Sequence, residues 1–166
     1  MECRRCATPL DHPGDYCLVC DTANAEAVVV DVRAERAEVT MLDDDAAQAK
    51  LRDVIEEHGL RISALATHNN PIHPVEERAA EADRELREAI ELADQLDVDT
   101  VTCFSGLPGG APGDSTPNWI TAPWPTEHAD ALDYQWDEVA IPYWRDLAKH
   151  ADHHGVDVAI EMHPNM

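Results

Sequence analysis

Two stretches of this chain, Glu57-His58-Gly59-Leu60-Arg61-Ile62 and His153-His154-Gly155-Val156-Asp157-Val158, repeat one succession: a charged run closes on His-Gly and an apolar run begins. Glycine ends a helix readily because, lacking Cβ, it enters the left-handed conformation at little cost. The echo therefore marks two equivalent helix-to-strand joints. Ahead of the first, Leu51, Val54 and Ile55 stand at helical spacing in a segment that starts at Asp43. Behind it, residues 60–66 read as a buried strand. A second helix is predicted over residues 75–96, with Leu86, Ile90 and Ala93 on one side and Glu81, Asp83, Arg84, Glu85, Arg87 and Glu88 on a solvated face. Residues 98–104 and 156–162 supply two further strands. Three strands, each preceded by a helix, predict an α/β fold of repeated βα units. Right-handed crossovers make such strands parallel and bring their C-terminal ends to one rim.

Residues 105–125, between the second and third strands, contain Gly106, Gly109, Gly110, Gly113 and five prolines. A connection of that length is either a functional loop or a disordered one. Beyond it, Trp136, Val139, Tyr143, Trp144 and Leu147 form an apolar stripe interrupted by Pro142, which predicts a kinked helix or two helices. Their helical spacing assigns the aromatic residues to packing.

The N-terminal segment follows a different rule. Cys3-Arg4-Arg5-Cys6 and Cys17-Leu18-Val19-Cys20 are two C-x-x-C knuckles, with Pro9, Pro13 and Gly14 between them. Four thiolates suit tetrahedral Zn2+, and a closed four-cysteine site leaves no position for a substrate, so the predicted zinc is structural. Each knuckle is also a pattern for a redox-active disulfide. Residues 27–32 and 38–42 are β-rich around the polar run 33–37, which predicts a hairpin. The expected organisation is a zinc ribbon over 1–24, a β-hairpin over 25–42 and a βα body over 43–166. The segment Cys17-Leu18-Val19-Cys20-Asp21-Thr22-Ala23-Asn24-Ala25, with the hairpin after it, resembles a family of small haloarchaeal zinc-ribbon proteins.

Acidic residues outnumber basic ones 34 to 12, for a net charge of −22. Carboxylates spread over amphipathic segments repel one another less where salt shortens the screening length to about 3 Å at 1 M. The balance points to a halophilic protein, or to a generally acidic one, and disfavours binding to a nucleic acid backbone. No apolar run is long enough to span a bilayer and the N-terminus lacks the shape of a signal peptide, so a cytoplasmic location without membrane contact is expected.

In this topology His68 follows the first predicted strand, Cys103 closes the second, and Glu161 with His163 closes the third. Strand C-terminal ends are where α/β folds gather ligand-binding groups. A carboxylate after the apolar run Val158-Ala159-Ile160 needs a partner. One candidate is a divalent metal shared with His68, and the other is an ion pair or hydrogen bond. His163 is a candidate ligand, acid/base group or substrate contact, and Cys103 reads as a small buried apolar side chain. His58, His150, His153 and His154 lie near helix C-termini, where the helix dipole accounts for them.

Three segments together, ISALATHNNPIHP at 62–74, CFSGLPGG at 103–110 and IPYWRDLAKHADHHGVDVAIEMHP at 141–164, are similar to the sugar phosphate isomerase/epimerase family with the xylose-isomerase-like TIM barrel. The broader group includes apurinic endonucleases. The resemblance covers residues 44–166 and implies a partial TIM-barrel-like fold carrying the family's second, third and fourth strands. The ribbon and hairpin stand in place of the first strand, and the fifth to eighth are not included. It also implies a divalent metal at the rim, Mn2+, Mg2+, Co2+ or Zn2+, that assists proton transfer beside a sugar carbonyl. Glu161 matches the metal-binding carboxylate after the fourth strand, His68 a histidine after the second, and His163 a further site position.

The implied function is a metal-dependent sugar or sugar-phosphate isomerase/epimerase, with Glu161 and His163 as catalytic candidates and Glu161 and His68 as metal ligands. The alternative is a non-catalytic zinc-ribbon adaptor whose body pairs with another chain or a second copy that completes the barrel. Phosphodiester cleavage at damaged DNA conflicts with the charge.

Overall fold

The computed structural model describes residues 41–161 and 163, and before them the backbone of three short strands, Tyr16–Cys17 (β1), Thr22–Ala23 (β2) and Ala27–Asp31 (β3). Strands β1 and β2 pair antiparallel as a two-stranded unit. Strand β3 instead joins Arg61–Thr67 (β4), Thr100–Phe104 (β5) and Asp157–Glu161 (β6) in a four-stranded parallel sheet of order β3-β4-β5-β6. Each strand of that sheet neighbours the one before it in sequence. This is the singly wound order of a barrel wall, not the reversing order of a doubly wound sheet.

Strand β3 lies within the hairpin expected over 25–42, and residues 32–40, which hold the turn and most of the second arm, lie outside the described residues. Ala27 pairs with Arg61 and Asp31 with Ala66, both in parallel sense, with a register shift between Val28 and Val30. Met41–Asp43, at the end of that span, forms a 3-10 turn that leads into the first helix. The apolar strand Ala-Val-Val-Val-Asp is taken up by the parallel edge of β4. The first strand position of the sheet is therefore filled by this chain. Cys3, Cys6 and Cys20 lie outside the described residues, and Cys17 is described only as backbone in β1.

Helices Asp45–Glu57 (α1), Glu76–Gln95 (α2), Glu127–Asp133 (α3) and Ile141–His154 (α4) fill the connections. At its start α1 is capped by Asp44, whose carboxylate accepts from the Ala47 N–H at 2.9 Å. The two His-Gly joints behave alike: Gly59 and Gly155 both take positive φ, +60° and +68°, directly after their helices. At the third joint, between α2 and β5, Asp97 takes that conformation at φ 56°. Aspartate is among the few non-glycine residues that tolerate it.

The core lies between the sheet and α2 and α4. Leu86, Ala89, Ile90 and Ala93 of α2 meet Leu65, Val101 and Cys103 of the strands and Leu147 and Ala151 of α4. Arg87 locks the two helices from outside. It donates through Nε to Asp83 at 3.0 Å and through a terminal nitrogen to Asp146 at 2.9 Å. Helix α1 is held more by polar contacts, with buried Gln48 donating to the Met41 and Leu42 carbonyls and to Gln95. Val54, expected in its apolar stripe, is 45% exposed.

The proline at 142 has the expected effect in an unexpected form. Between α3 and α4 the chain runs through a π-helical segment, Tyr134–Ala140, and Pro142 falls in the first turn of α4. A proline cannot donate to the carbonyl four residues back, and a change of hydrogen-bond register just ahead of it avoids that conflict. The wider turn also rotates the stripe. Trp136 faces outward at 51% exposure, while Gln135 beside it is fully buried. Among the described residues no helix is long and apolar enough to cross a membrane.

Substituting Ile90→Ala should destabilise the fold by about 2–5 kcal/mol, because the cavity opens where sheet and both helices meet. Val54→Ala should change stability by less than about 0.5 kcal/mol. Urea unfolding of the two variants against the parent chain checks both.

Candidate functional site at the strand ends

Sheet register decides which side chains can meet. Thr67 pairs with Cys103, Cys103 with Ile160, and Phe104 with Glu161. His68 follows Thr67, so His68, Phe104 and Glu161 occupy one row at the C-terminal ends of three adjacent strands. Cys103, one residue earlier, points the opposite way into the core. Backbones two strands apart are separated by about 10 Å, yet the outer side chains converge: His68 Nε2 lies 3.3 Å from Glu161 Oε2. The Phe104 ring lies beside both histidines, 4.7 Å from that of His68 and 4.8 Å from that of His163. His68 and Glu161 thus touch directly, and His163 joins them through the phenyl ring. Both members of the contact pair are partly open to solvent.

Cys103 takes no part in this face. Burial pushes its thiol up to about 12, so the group is neutral at ordinary pH and packs as a small apolar side chain. His73 also has a structural task. Its Nδ1 accepts from the Val75 N–H at 2.9 Å just ahead of α2, while burial and then the Arg78 charge lower its pKa.

The loops behind the rim are tied together by amide side chains. Asn70, two residues beyond His68, donates to the Leu107 carbonyl at 2.8 Å and accepts from the Leu107 N–H at 2.8 Å. Its neighbour Asn69 donates to Glu85 of α2. Gly106, at φ +81°, passes so close that an added Cβ would stand 2.6 Å from Ile72 and 2.8 Å from Asn70. Its carbonyl accepts from the Trp119 indole at 2.8 Å. Gln135 completes the arrangement from the π-helical segment. It donates to the carbonyls of Gly109 and Asn118 and accepts from the Ile120 N–H at 3.0 Å. Residues 105–125 have no regular secondary structure, but these bonds tie 106–109 and 118–120 to the neighbouring loop and helix.

Sequence reasoning passed over Phe104, Asn70, Trp119 and Gln135. The Asn-Asn-Pro run directly beyond a strand end was the available signal for Asn70. An amide between Tyr134 and Trp136 in an apolar stripe was the signal for Gln135. A further group was read only as helix-end histidines: among the described residues, Glu91, His150 and His154 stand close enough together to hold a metal ion. They lie on α2 and α4, not on the rim.

Residues 19–166 match the family described as Xylose isomerase-like TIM barrel. The match begins ahead of β3, in keeping with that strand's place in the sheet. The chain is also 38% identical over 125 residues to the uncharacterized protein YfiH of Bacillus subtilis (strain 168), an overlap of 73% of this chain and 39% of that protein. The chain therefore spans well under half the length of that relative.

Two measurements bear on this geometry. Asn70→Ala should cost about 1–3 kcal/mol by stranding the Leu107 groups it satisfies, with faster amide exchange at residues 105–110 than in the parent chain. Iodoacetamide at pH 8 should leave Cys103 unmodified in the folded protein and label it on unfolding, as read by peptide mass mapping.

Proposed function

This chain belongs to the xylose isomerase-like TIM barrel family, and from that membership we propose that its strand-end rim serves divalent-metal-dependent isomerisation or epimerisation of a sugar or sugar phosphate. The observation that carries the reading is the His68–Phe104–Glu161 row, with a histidine nitrogen and a carboxylate oxygen 3.3 Å apart over an aromatic ring. That donor pair suits one divalent ion. At that separation the two groups could serve as ligands of the same ion. Mn2+, Mg2+, Co2+ and Zn2+ all accept a carboxylate, and the histidine favours the transition ions.

A bound metal supplies positive charge that polarises the carbonyl and hydroxyl oxygens of the sugar. Glu161 and His68 would hold it at the rim. His163, tilted against the Phe104 ring, is the group we assign to moving the proton beside the carbonyl, or to contacting the substrate oxygen. Phe104 presents an apolar floor that fixes the ring of His68 and excludes water from one side. The pinned loop 105–125 borders the same strand ends and is read as the substrate-facing wall.

Cys3, Cys6, Cys17 and Cys20 are proposed to hold a structural Zn2+, a reading supported by the β1–β2 pairing directly around the second knuckle. The net charge of −22 supports adaptation to concentrated salt, and we place the protein in the cytoplasm. A second reading, a non-catalytic adaptor or a body completed by another chain or second copy, is favoured by one observation. Strand β6 borders the sheet among the described residues and leaves Ile160 47% exposed.

Native mass spectrometry with elemental analysis counts metals and subunits together. Glu161→Gln and His68→Ala should each lose the rim metal while keeping the cysteine-bound zinc. Deuterium exchange at the carbon beside the carbonyl, followed by NMR over a panel of aldoses and sugar phosphates, should fall by about 10²–10⁴-fold in His163→Ala. An unchanged metal count in Glu161→Gln, with no exchange by any assembly of the parent chain, would leave the adaptor reading.

A further inference from the structure

The last turns of α2 and α4 carry a group of side chains that the rim chemistry does not use. His150 and His154 sit one turn apart on the same face of α4. Each meets a carboxylate of α2: His154 Nδ1 lies 2.8 Å from Asp94 Oδ2, and His150 Nε2 lies 3.7 Å from Glu91 Oε1. The two imidazole rings are 4.8 Å apart. Ligand atoms of Glu91, His150 and His154 all fall within 4.8 Å of one another.

Helix-end dipoles and simple ion pairs do not account for this group. The His150 Nε2 atom is buried and has no hydrogen-bond partner among the described residues, and 3.7 Å to Glu91 is too long to supply one. A buried imidazole nitrogen left without a partner is costly. We propose that Glu91, His150 and His154 form a transition-metal site that clips α2 to α4, separate from the strand-end rim. Two imidazoles and one carboxylate are the donor set of a borderline ion such as Zn2+, Co2+ or Ni2+, with water at the remaining position. An oxygen-seeking ion such as Ca2+ or Mg2+ is disfavoured by the two nitrogens. The Asp94 contact fixes the His154 ring in the way that outer-shell carboxylates orient metal-bound histidines.

Position gives the site its role. Helix α2 runs into the start of β5 through Asp97, and α4 into the start of β6 through Gly155. The clip therefore sits at the N-terminal end of the sheet, opposite His68 and Glu161. In barrel folds that end serves stability and not chemistry. A metal here would fasten the two helices that carry most of the core.

The test uses the full chain and Zn2+ alone. Native mass spectrometry and calorimetric titration should find one more Zn2+ in the parent chain than in the double variant His150→Gln/His154→Gln, and Zn2+ should raise the melting temperature of the parent but raise it less in the variant. Glu91→Gln, a change at a part-exposed carboxylate that leaves the core intact, should weaken that equivalent by at least about tenfold. Glu161→Gln should retain it, which separates failure of this site from failure of the rim reading. Unchanged Zn2+ count and affinity in Glu91→Gln or in the double variant would overturn the proposal, as would loss of the same equivalent in Glu161→Gln.

Discussion

In-step parallel pairing of β4, β5 and β6 is the constraint from which the rest follows. Once Thr67, Cys103 and Ile160 stand abreast, the alternation of side chains sends Cys103 into the core and leaves His68, Phe104 and Glu161 on the opposite face. A slip of one residue in any of the three strands would put a carboxylate or an imidazole into the apolar contact with Leu86 and Ile90. The core thus enforces the register, and the register assembles the rim. Stability and site geometry are two readings of the same pairing.

The rim then needs its loops to hold still, and amides accomplish this where helices and strands cannot. Asn70 and Gln135 satisfy main-chain groups of the long connection after β5 from two directions, one from the loop after β4 and one from the π-helical segment. Both amides offer donor and acceptor on one short side chain, which is what an irregular backbone with unpaired N–H and C=O groups requires. The π turn has a matching purpose. By shifting the helical register it turns Gln135 inward and Trp136 outward, so that a polar hand faces the loop and an aromatic ring lies tilted against Trp119, 5.3 Å between centroids.

Much of the scaffold could be read from residue order. The His-Gly joints forecast where α1 and α4 stop, and Leu86, Ile90 and Ala93 marked the buried face of α2, because local periodicity and glycine conformation need no knowledge of distant contacts. The gathering of His68 and Glu161 near one another followed from parallel topology alone. The pairing of β3 with β4 was harder to read: Ala-Val-Val-Val-Asp carries no mark of the strand it will join, and only the distant partner decides. The long-range contacts of Asn70, Gln135 and Glu91 were also hidden, since those partners lie at sequence separations of 15 to 59 residues, set by packing and not by pattern.

The hold of Gln135 on the loop has an evolutionary consequence. It recognises only the carbonyls of 109 and 118 and the N–H of 120, main-chain groups that any residue but a proline at 120 would present. That hold does not depend on the side chains it meets, whereas Gly106 and Gly109 are fixed by close approach, an added Cβ at Gly109 standing 2.9 Å from Asp114. Away from those two glycines, exposed side chains of the segment can change while one buried amide keeps the main chain on its course, so variation there does not require the scaffold to be rebuilt.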